Sequence, residues 1–248
     1  MKLFDSLFVL FFEEKMKTKI FILCAIAGLF LTACSPKADI FIQPSGDAII
    51  TMDIKSSPIM NTVFKSVSQL SDEDMSKSIF NKDSIKMELE QKKIQVLKME
   101  TNSIADITAK LKIWKDNNKN PDFFNVDNKA GKISLNIGTK NIKEFAGLLS
   151  EDDREYIDLL MAPALSGETM SKEEYETLIE AVYGNKLASE LKKAKFKIEV
   201  SCPKKVQRIN ITPIGMGKKN GNKAYLEIPV SDILCLQDRI FIEITYTP

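Results

Sequence analysis

The sequence contains no histidine, and that absence excludes several kinds of chemistry. Imidazole is the commonest general base and the commonest metal ligand in proteins. Ser-His-Asp triads, Cys-His dyads and histidine-containing zinc sites are therefore impossible in this chain. We expect no metal and no cofactor, and we predict no catalytic residue. The enzyme class left open is a hydrolase that works with Ser and Lys or with carboxylates.

Arginine is also scarce, since only Arg154, Arg208 and Arg239 are arginines among 35 basic residues. Basic and acidic residues nearly balance, at 35 and 34. Arginine is the residue best suited to forked contacts with phosphates and base edges. A chain whose charges nearly cancel has no strong field that would attract a polyanion. We therefore expect no nucleic-acid partner.

No uncharged stretch is long enough to cross a bilayer as a permanent helix, which takes about 20 residues. The longest such run, residues 20–36, contains the apolar stretch 20–33. It follows Lys17 and Lys19 and ends in small residues, which is the pattern of a secretory signal. We predict a signal peptide over residues 16–33. Residues 1–15 precede this signal and its own Met16, and they contain three acids, so we expect them to be a start-site artefact.

The end of the signal, Leu31-Thr32-Ala33-Cys34, resembles the bacterial lipobox. The resemblance implies cleavage between Ala33 and Cys34 and a diacylglycerol thioether, with further acylation such as palmitate, on Cys34. The mature protein would then be anchored to a bacterial cell membrane by its N-terminal lipid, on the extracytoplasmic (periplasmic or surface) side. An ordinary signal peptide, or an N-terminal anchor with an incidental cysteine, is the alternative.

The mature chain, residues 34–248, contains no linker rich in Gly, Ser or Pro and no internal repeat, so we expect a single envelope domain. Its first strand begins almost directly after Cys34, which predicts a domain close to the membrane. Cys202 and Cys235 are its two remaining cysteines. They could form a disulfide that closes a loop of about 33 residues and adds about 3 kcal/mol. Two buried free thiols at strand ends are the alternative.

Alternating apolar and polar residues predict strands near both ends of the mature chain, with helices between them. The fold class expected is α+β, with one antiparallel sheet built from N-terminal and C-terminal strands and covered by a central group of helices. A hairpin is expected over residues 38–55, and Asn220-Gly221 predicts a second. Ser171-Lys172-Glu173-Glu174 is a capping box, which predicts a helix that ends at Gly184. The predicted strands cover residues 38–43, 48–55, 94–101, 104–114, 132–138, 195–201, 206–216, 223–230 and 239–246.

Three segments carry residues that suggest sites but have simpler interpretations. The acids of residues 72–74 and 151–158 are typical of helix N-termini rather than of a calcium loop. Residues 215–219 (GMGKK) are typical of a turn or bulge and lack the phosphate-loop pattern. The segment 145–165 is apolar nearly all round, as in a core helix. It could instead wall an apolar ligand cavity, and the wall residues would be Phe145, Leu148, Leu149, Ile157, Leu160 and Met161.

Two parts of the mature chain resemble the LppM-like domain of uncharacterised envelope lipoproteins. They are ADIFIQPSGDAIITMDI (residues 38–54) and FKIEVSCPKKVQRIN with KAYLEIPVSDILCLQDRIFIEITY (residues 196–210 and 223–246). The resemblance implies an α+β fold that holds lipid-like molecules. The Lys-, Asn- and Ile-rich composition also resembles that of spirochaete lipoproteins.

These observations favour a non-enzymatic, membrane-anchored lipoprotein that binds a lipid-like or protein partner in the cell envelope. The alternatives are the envelope hydrolase named above and a structural or interaction lipoprotein with no small-molecule ligand. A solute-binding subunit of a transporter is disfavoured, because that class needs two lobes of alternating strands and helices.

Overall fold

The computed structural model describes residues 36–58, 61–62, 78, 82–91, 93–101, 106–115, 123–140, 163, 170–213, 215–235 and 239–248. Within these ranges the chain forms two β-sheets and four helices of five residues or more, which confirms a mixed α+β fold. No helix in this part of the chain is long and apolar enough to span a membrane.

The larger sheet has seven strands in the order β3-β4-β2-β1-β7-β10-β9. All neighbours are antiparallel except β1 and β7, which run parallel. The strands of this sheet are β1 (Lys37–Ile42), β2 (Ala48–Ile54), β3 (Ile94–Glu100), β4 (Ile107–Ile113), β7 (Lys195–Ser201), β9 (Met216–Asn220) and β10 (Lys223–Pro229).

The smaller sheet has four antiparallel strands in the order β5-β6-β11-β8. They are β5 (Phe124–Asp127), β6 (Lys132–Gly138), β8 (Val206–Thr212) and β11 (Arg239–Tyr246). The chain passes from this sheet to the larger one between β8 and β9. Gly217 of β9 lies under the Ile209 side chain of β8, at a spacing that leaves no room for a Cβ atom. A residue with a side chain there would push the two strands apart.

The four helices are α1 (Lys82–Gln91), α2 (Lys172–Tyr183), α3 (Asn185–Lys193) and α4 (Val230–Leu234). The predicted capping box is present at the start of α2, where Ser171 and Glu174 bond to each other's backbone N–H groups. Gly184 ends α2 with a φ of 85°, a value that favours glycine. The same glycine begins α3, so the two helices meet at one residue and pack together.

Both sheets and all four helices contribute to a single hydrophobic core. Along β1, β2 and β4 every second side chain is buried, which is the pattern of a sheet with one face against the core. The helices add Ile85, Leu89, Tyr175, Ile179, Leu187 and Leu191 to that core. The opposite face of the seven-stranded sheet carries exposed and half-buried residues.

The prediction of one antiparallel sheet was wrong. The N-terminal strands share a sheet with β7, β9 and β10, but the last strand, β11, belongs to the second sheet. The sheet that joins the N-terminal strands to β7, β9 and β10 is mixed, because β7 lies parallel to β1. The segment 145–165, for which a helix was predicted, lies outside the described residues except for Pro163, which is buried.

Two strand boundaries also differ from the predictions. β5 lies within residues 116–129, a segment rich in Asn, Asp and Lys where no strand was predicted. The strand predicted over residues 206–216 ends at Thr212, because the chain turns at Pro213 and Gly215 and begins β9 at Met216. Residues 216–219 are therefore part of a strand rather than the turn or bulge expected there.

Candidate interaction surface

Most of the site residues predicted from the sequence lie outside the described residues. This applies to the cleavage and lipidation residues Ala33 and Cys34. It also applies to the six residues expected to wall an apolar cavity, which are Phe145, Leu148, Leu149, Ile157, Leu160 and Met161.

The two remaining cysteines are free thiols. Cys202 follows the last residue of β7, whereas Cys235 follows α4, which continues from β10 at the other end of the same sheet. The length of β7, about 20 Å at 3.3 Å per residue, therefore separates them. A disulfide requires Cα atoms within about 7 Å. Of the two alternatives, the structure contains free thiols, and burial raises the pKa of each to about 12.

The outer face of the seven-stranded sheet carries exposed aromatic side chains. Phe41 of β1 is 48% exposed, Trp114 directly after β4 is 44% exposed, and Tyr225 of β10 is 37% exposed. Their chain neighbours Ile40, Ile42, Ile113 and Leu226 are buried on the core side, so strand alternation turns the aromatic residues outward. Large apolar side chains at such positions are a feature of interaction surfaces rather than of a core.

Two of these aromatic residues and two neighbours on the same face form one continuous group across three strands, which we call the Phe41 patch: Phe41, Ile49, Lys112 and Trp114. Phe41 lies directly opposite Ile49, and Ile49 lies directly opposite Lys112. The ammonium of Lys112 is 3.4 Å from the centroid of the Trp114 ring, a cation–π contact. The Phe41 patch therefore presents two aromatic rings, the aliphatic side chain of Ile49, and the stem of Lys112 between Ile49 and Trp114.

Asp47 fixes the position of Lys112 within the Phe41 patch. Its carboxylate is 3.5 Å from the Lys112 ammonium, and the two side chains are only 16% and 19% exposed. Burial on its own would raise the pKa of Asp47, but a hydrogen bond from the Lys115 N–H and the charge of Lys112 outweigh it. The pKa is therefore below its usual value, and the carboxylate stays ionised at neutral pH. The pairing neutralises Lys112, so its stem extends the apolar surface.

Charged residues of both signs surround the Phe41 patch on the same face. Lys37 pairs with Asp39 at 3.0 Å, and Lys223 pairs with Glu199 at 2.6 Å. The hydrogen bond to Glu199 raises the pKa of Lys223. An apolar centre with a rim of mixed charges is the usual composition of a protein–protein interface.

Two serine–carboxylate pairs follow β2, and they bear on the hydrolase alternative. Ser56 donates from its N–H and its hydroxyl to Asp106, and the Ser57 hydroxyl donates to Glu190 at 2.9 Å. Ser57 is 2% exposed, so a substrate could not reach its oxygen without a rearrangement. Both pairs join distant parts of the chain, which is a structural role. Among the described residues, no group of His, Cys, Asp or Glu could hold a metal ion.

The sequence contained a signal for half of the Phe41 patch. Phe41 and Ile49 are apolar residues at positions of β1 and β2 where the alternation calls for polar ones. The position of Lys112 and Trp114 beside Ile49 depends on β4 lying next to β2, some 60 residues away in sequence, so the local pattern of β4 does not indicate it.

No protein-family model, curated protein or solved structure matches this chain.

Proposed function

We propose that this protein is a lipid-anchored, non-enzymatic lipoprotein of the bacterial envelope that binds a protein partner through the Phe41 patch. Support for the anchor comes from the lipobox-like residues 31–34 and from the position of β1, which begins at Lys37. The observation that carries the binding role is the outward cluster of Phe41, Ile49, Lys112 and Trp114.

A protein partner fits the Phe41 patch better than an acyl chain does. Pockets for small apolar ligands are concave and bury most of the ligand surface. The Phe41 patch lies on a sheet face, where neighbouring side chains stand side by side rather than enclosing a volume. Exposed aromatic residues surrounded by ion pairs are typical anchors of protein interfaces.

The lipid-binding role remains the second candidate, and it rests on the segment 145–165 and on the LppM-like resemblance rather than on the Phe41 patch. In that arrangement the helix predicted over residues 145–165 would cover the sheet and enclose the ligand between the two layers. Mass spectrometry of the protein purified from membranes would detect a stoichiometric co-purifying lipid, which would favour this candidate.

Site-specific cross-linking in cells tests the Phe41 patch. A photoreactive phenylalanine analogue at position 41 is expected to give one adduct of discrete mass, whereas the same analogue at Asn220 is not. Asn220 is a matched control because it is exposed at the end of an edge strand of the same sheet. The adduct should disappear when Trp114→Ser is added, because that change removes an anchor without touching position 41. Equal adducts at positions 41 and 220 would contradict the proposal.

The anchor needs a separate test. Radiolabelled palmitate should enter the parent chain and should fail to enter the Cys34→Ala variant. A variant that is processed and fractionates with membranes like the parent would refute the lipid anchor while leaving the Phe41 patch untouched.

A further inference from the structure

Only two residues, Ser35 and Pro36, separate the proposed lipid anchor at Cys34 from the start of β1. Pro36 is buried, and its carbonyl accepts a hydrogen bond from the Lys197 N–H at 3.0 Å. Cys34 is two residues before Pro36, so their Cα atoms are at most about 7 Å apart. An acyl chain attached at position 34 must therefore enter the bilayer within about 10 Å of the start of β1.

The strand registers show which residues share that end of the seven-stranded sheet. Lys37, the first residue of β1, is opposite Asp53 on one side and Lys197 on the other. The same cross-strand row continues from Lys197 through Glu227 to Met216. Lys55 lies just beyond β2 at this end, and α3 ends there at Lys193 before β7 begins. We call this group the anchor rim: Lys37, Lys55, Lys193, Lys195, Lys197 and Met216.

The anchor rim has a modest excess of positive charge. The acids of its row are each within ion-pair distance of a lysine, with Asp53 at 3.4 Å from Lys55 and Glu227 at 3.0 Å from Lys195. Glu100, at the far side of the row on β3, lies 3.0 Å from Lys98. Lys193 and Lys197 are exposed and add two further positive charges to the anchor rim. Lysine stems can lie along an apolar surface while their ammonium groups stay among lipid phosphates.

Met216 adds an apolar element at the same end. It is 53% exposed and is the first residue of β9. A few lysines and one methionine would bind a bilayer weakly on their own, but the anchor would hold them at high effective concentration beside it.

We propose that the anchor rim lies against the headgroup layer of the bilayer that holds the protein's own lipid, with the strands of the seven-stranded sheet rising away from it. This inference rests on the proposed anchor at Cys34 and adds an orientation to it. Phe41 is four residues above Lys37, and Trp114 is six residues above Thr108 of the same row, so the Phe41 patch lies about 13–20 Å above the rim. The membrane thus leaves the Phe41 patch accessible to a partner.

Fluorescence quenching on vesicles tests this orientation. The lipidated full chain, with a single added cysteine carrying an environment-sensitive dye, is reconstituted into vesicles of phosphatidylethanolamine and phosphatidylglycerol. The dye is placed by Met216→Cys or by Asn220→Cys, at the two ends of β9. Headgroup-labelled quencher lipids should quench the dye at position 216 severalfold more strongly than at position 220. Equal quenching, or stronger quenching at position 220, would overturn the orientation.

Charge-reversal variants provide a second test of this orientation. Lys193→Glu with Lys197→Glu should reduce quenching at position 216 severalfold in these vesicles and should change little in purely zwitterionic ones. The control pair is Lys129→Glu with Lys205→Glu, two exposed lysines at the opposite end of the molecule, and it should have no effect. Unchanged quenching in the first pair would show that the rim does not contact the headgroups.

The mass of the N-terminal peptide separates this inference from the proposed function. An unlipidated Cys34 would refute the anchor itself. A lipidated Cys34 combined with equal quenching at positions 216 and 220 would refute only the orientation.

Discussion

At the scale of single residues, Gly131 is the position where the fold depends most visibly on a missing side chain. It has a φ of 62°, and a Cβ atom there would overlap the carbonyl oxygen of Tyr246. The N–H of the same residue, Tyr246, donates a hydrogen bond of 2.7 Å to the carbonyl oxygen of Gly131. The end of β11 is therefore held directly against the turn between β5 and β6.

Replacing Gly131 by alanine should destabilise the protein much more than the same change at Gly221. Gly221 has a similar φ of 58°, but nothing lies within 4 Å of its missing Cβ atom. We expect Gly221→Ala to cost about 1 kcal/mol from backbone strain alone. Gly131→Ala adds steric overlap with backbone and should cost about 3 kcal/mol. Urea denaturation of both variants measures the difference, and equal costs would show that the β11 contact is not tight.

The two thiols give a second prediction at this scale. Because burial raises the pKa of Cys202 and Cys235 to about 12, almost no thiolate exists at neutral pH. We expect both to react with a maleimide at least about a hundredfold more slowly than a free cysteine peptide, and rapidly in urea. Peptide mapping locates the label. If Cys202 and Cys235 reacted with the maleimide only after reduction, a disulfide would be present between them. That result would contradict their separation along the length of β7.

Among the helices and strands, α2 is the one whose start is most clearly determined by residues that are close in sequence. The Ser171 hydroxyl accepts from the Glu174 N–H at 3.2 Å, and the Glu174 carboxylate accepts from the Ser171 N–H at 2.8 Å. This second bond lowers the pKa of Glu174. Both partners lie within one turn, which is why the sequence alone predicted the start of this helix.

Ser171→Ala should lower the free energy of unfolding by about 1 kcal/mol, because a helix N–H loses its cap. Ser171→Asp keeps an acceptor and is the control, with an expected loss close to zero. The contribution of Glu174 is present above its unfolded pKa, near 4.5, and is lost as the pH falls through its lower folded pKa. Thermal unfolding at pH 7 and at pH 3 would check both statements. A Glu174→Gln variant as sensitive to acid as the parent in this range would contradict the assignment.

Local signals explain which elements could be predicted from the sequence and which could not. The alternating residues of β4, β6 and β11 are encoded in adjacent positions, and those strands were predicted. The Asn220-Gly221 signal predicted the hairpin of β9 and β10, whose turn residues are Gly221 and Asn222. β5 is short and polar, so it has no pattern of its own and depends on pairing with β6. The division into two sheets is determined by contacts between distant segments, and local patterns do not contain that information.

On the scale of the whole molecule, the two sheets share one core although they pair no strands with each other. Leu111 of the seven-stranded sheet and Ile242 of the four-stranded sheet are both fully buried in the same cluster. β8 and β9 join the sheets at one corner, where Ile209 packs on Gly217. A shared core implies that neither sheet can lose its packing without exposing apolar surface of the other.

Leu111→Ala and Ile242→Ala should therefore each shift one common unfolding transition, by about 2–5 kcal/mol. Trp114 is the only tryptophan and reports on the seven-stranded sheet, whereas far-ultraviolet circular dichroism reports on all the strands. The two signals should change together in urea for the parent and for both variants. Asn210→Ala, an exposed change on β8, is the control and should shift the transition by less than about 0.5 kcal/mol. If Ile242→Ala lowered the circular dichroism midpoint and left the Trp114 midpoint unchanged, the sheets would be independent units, and the single core would be wrong.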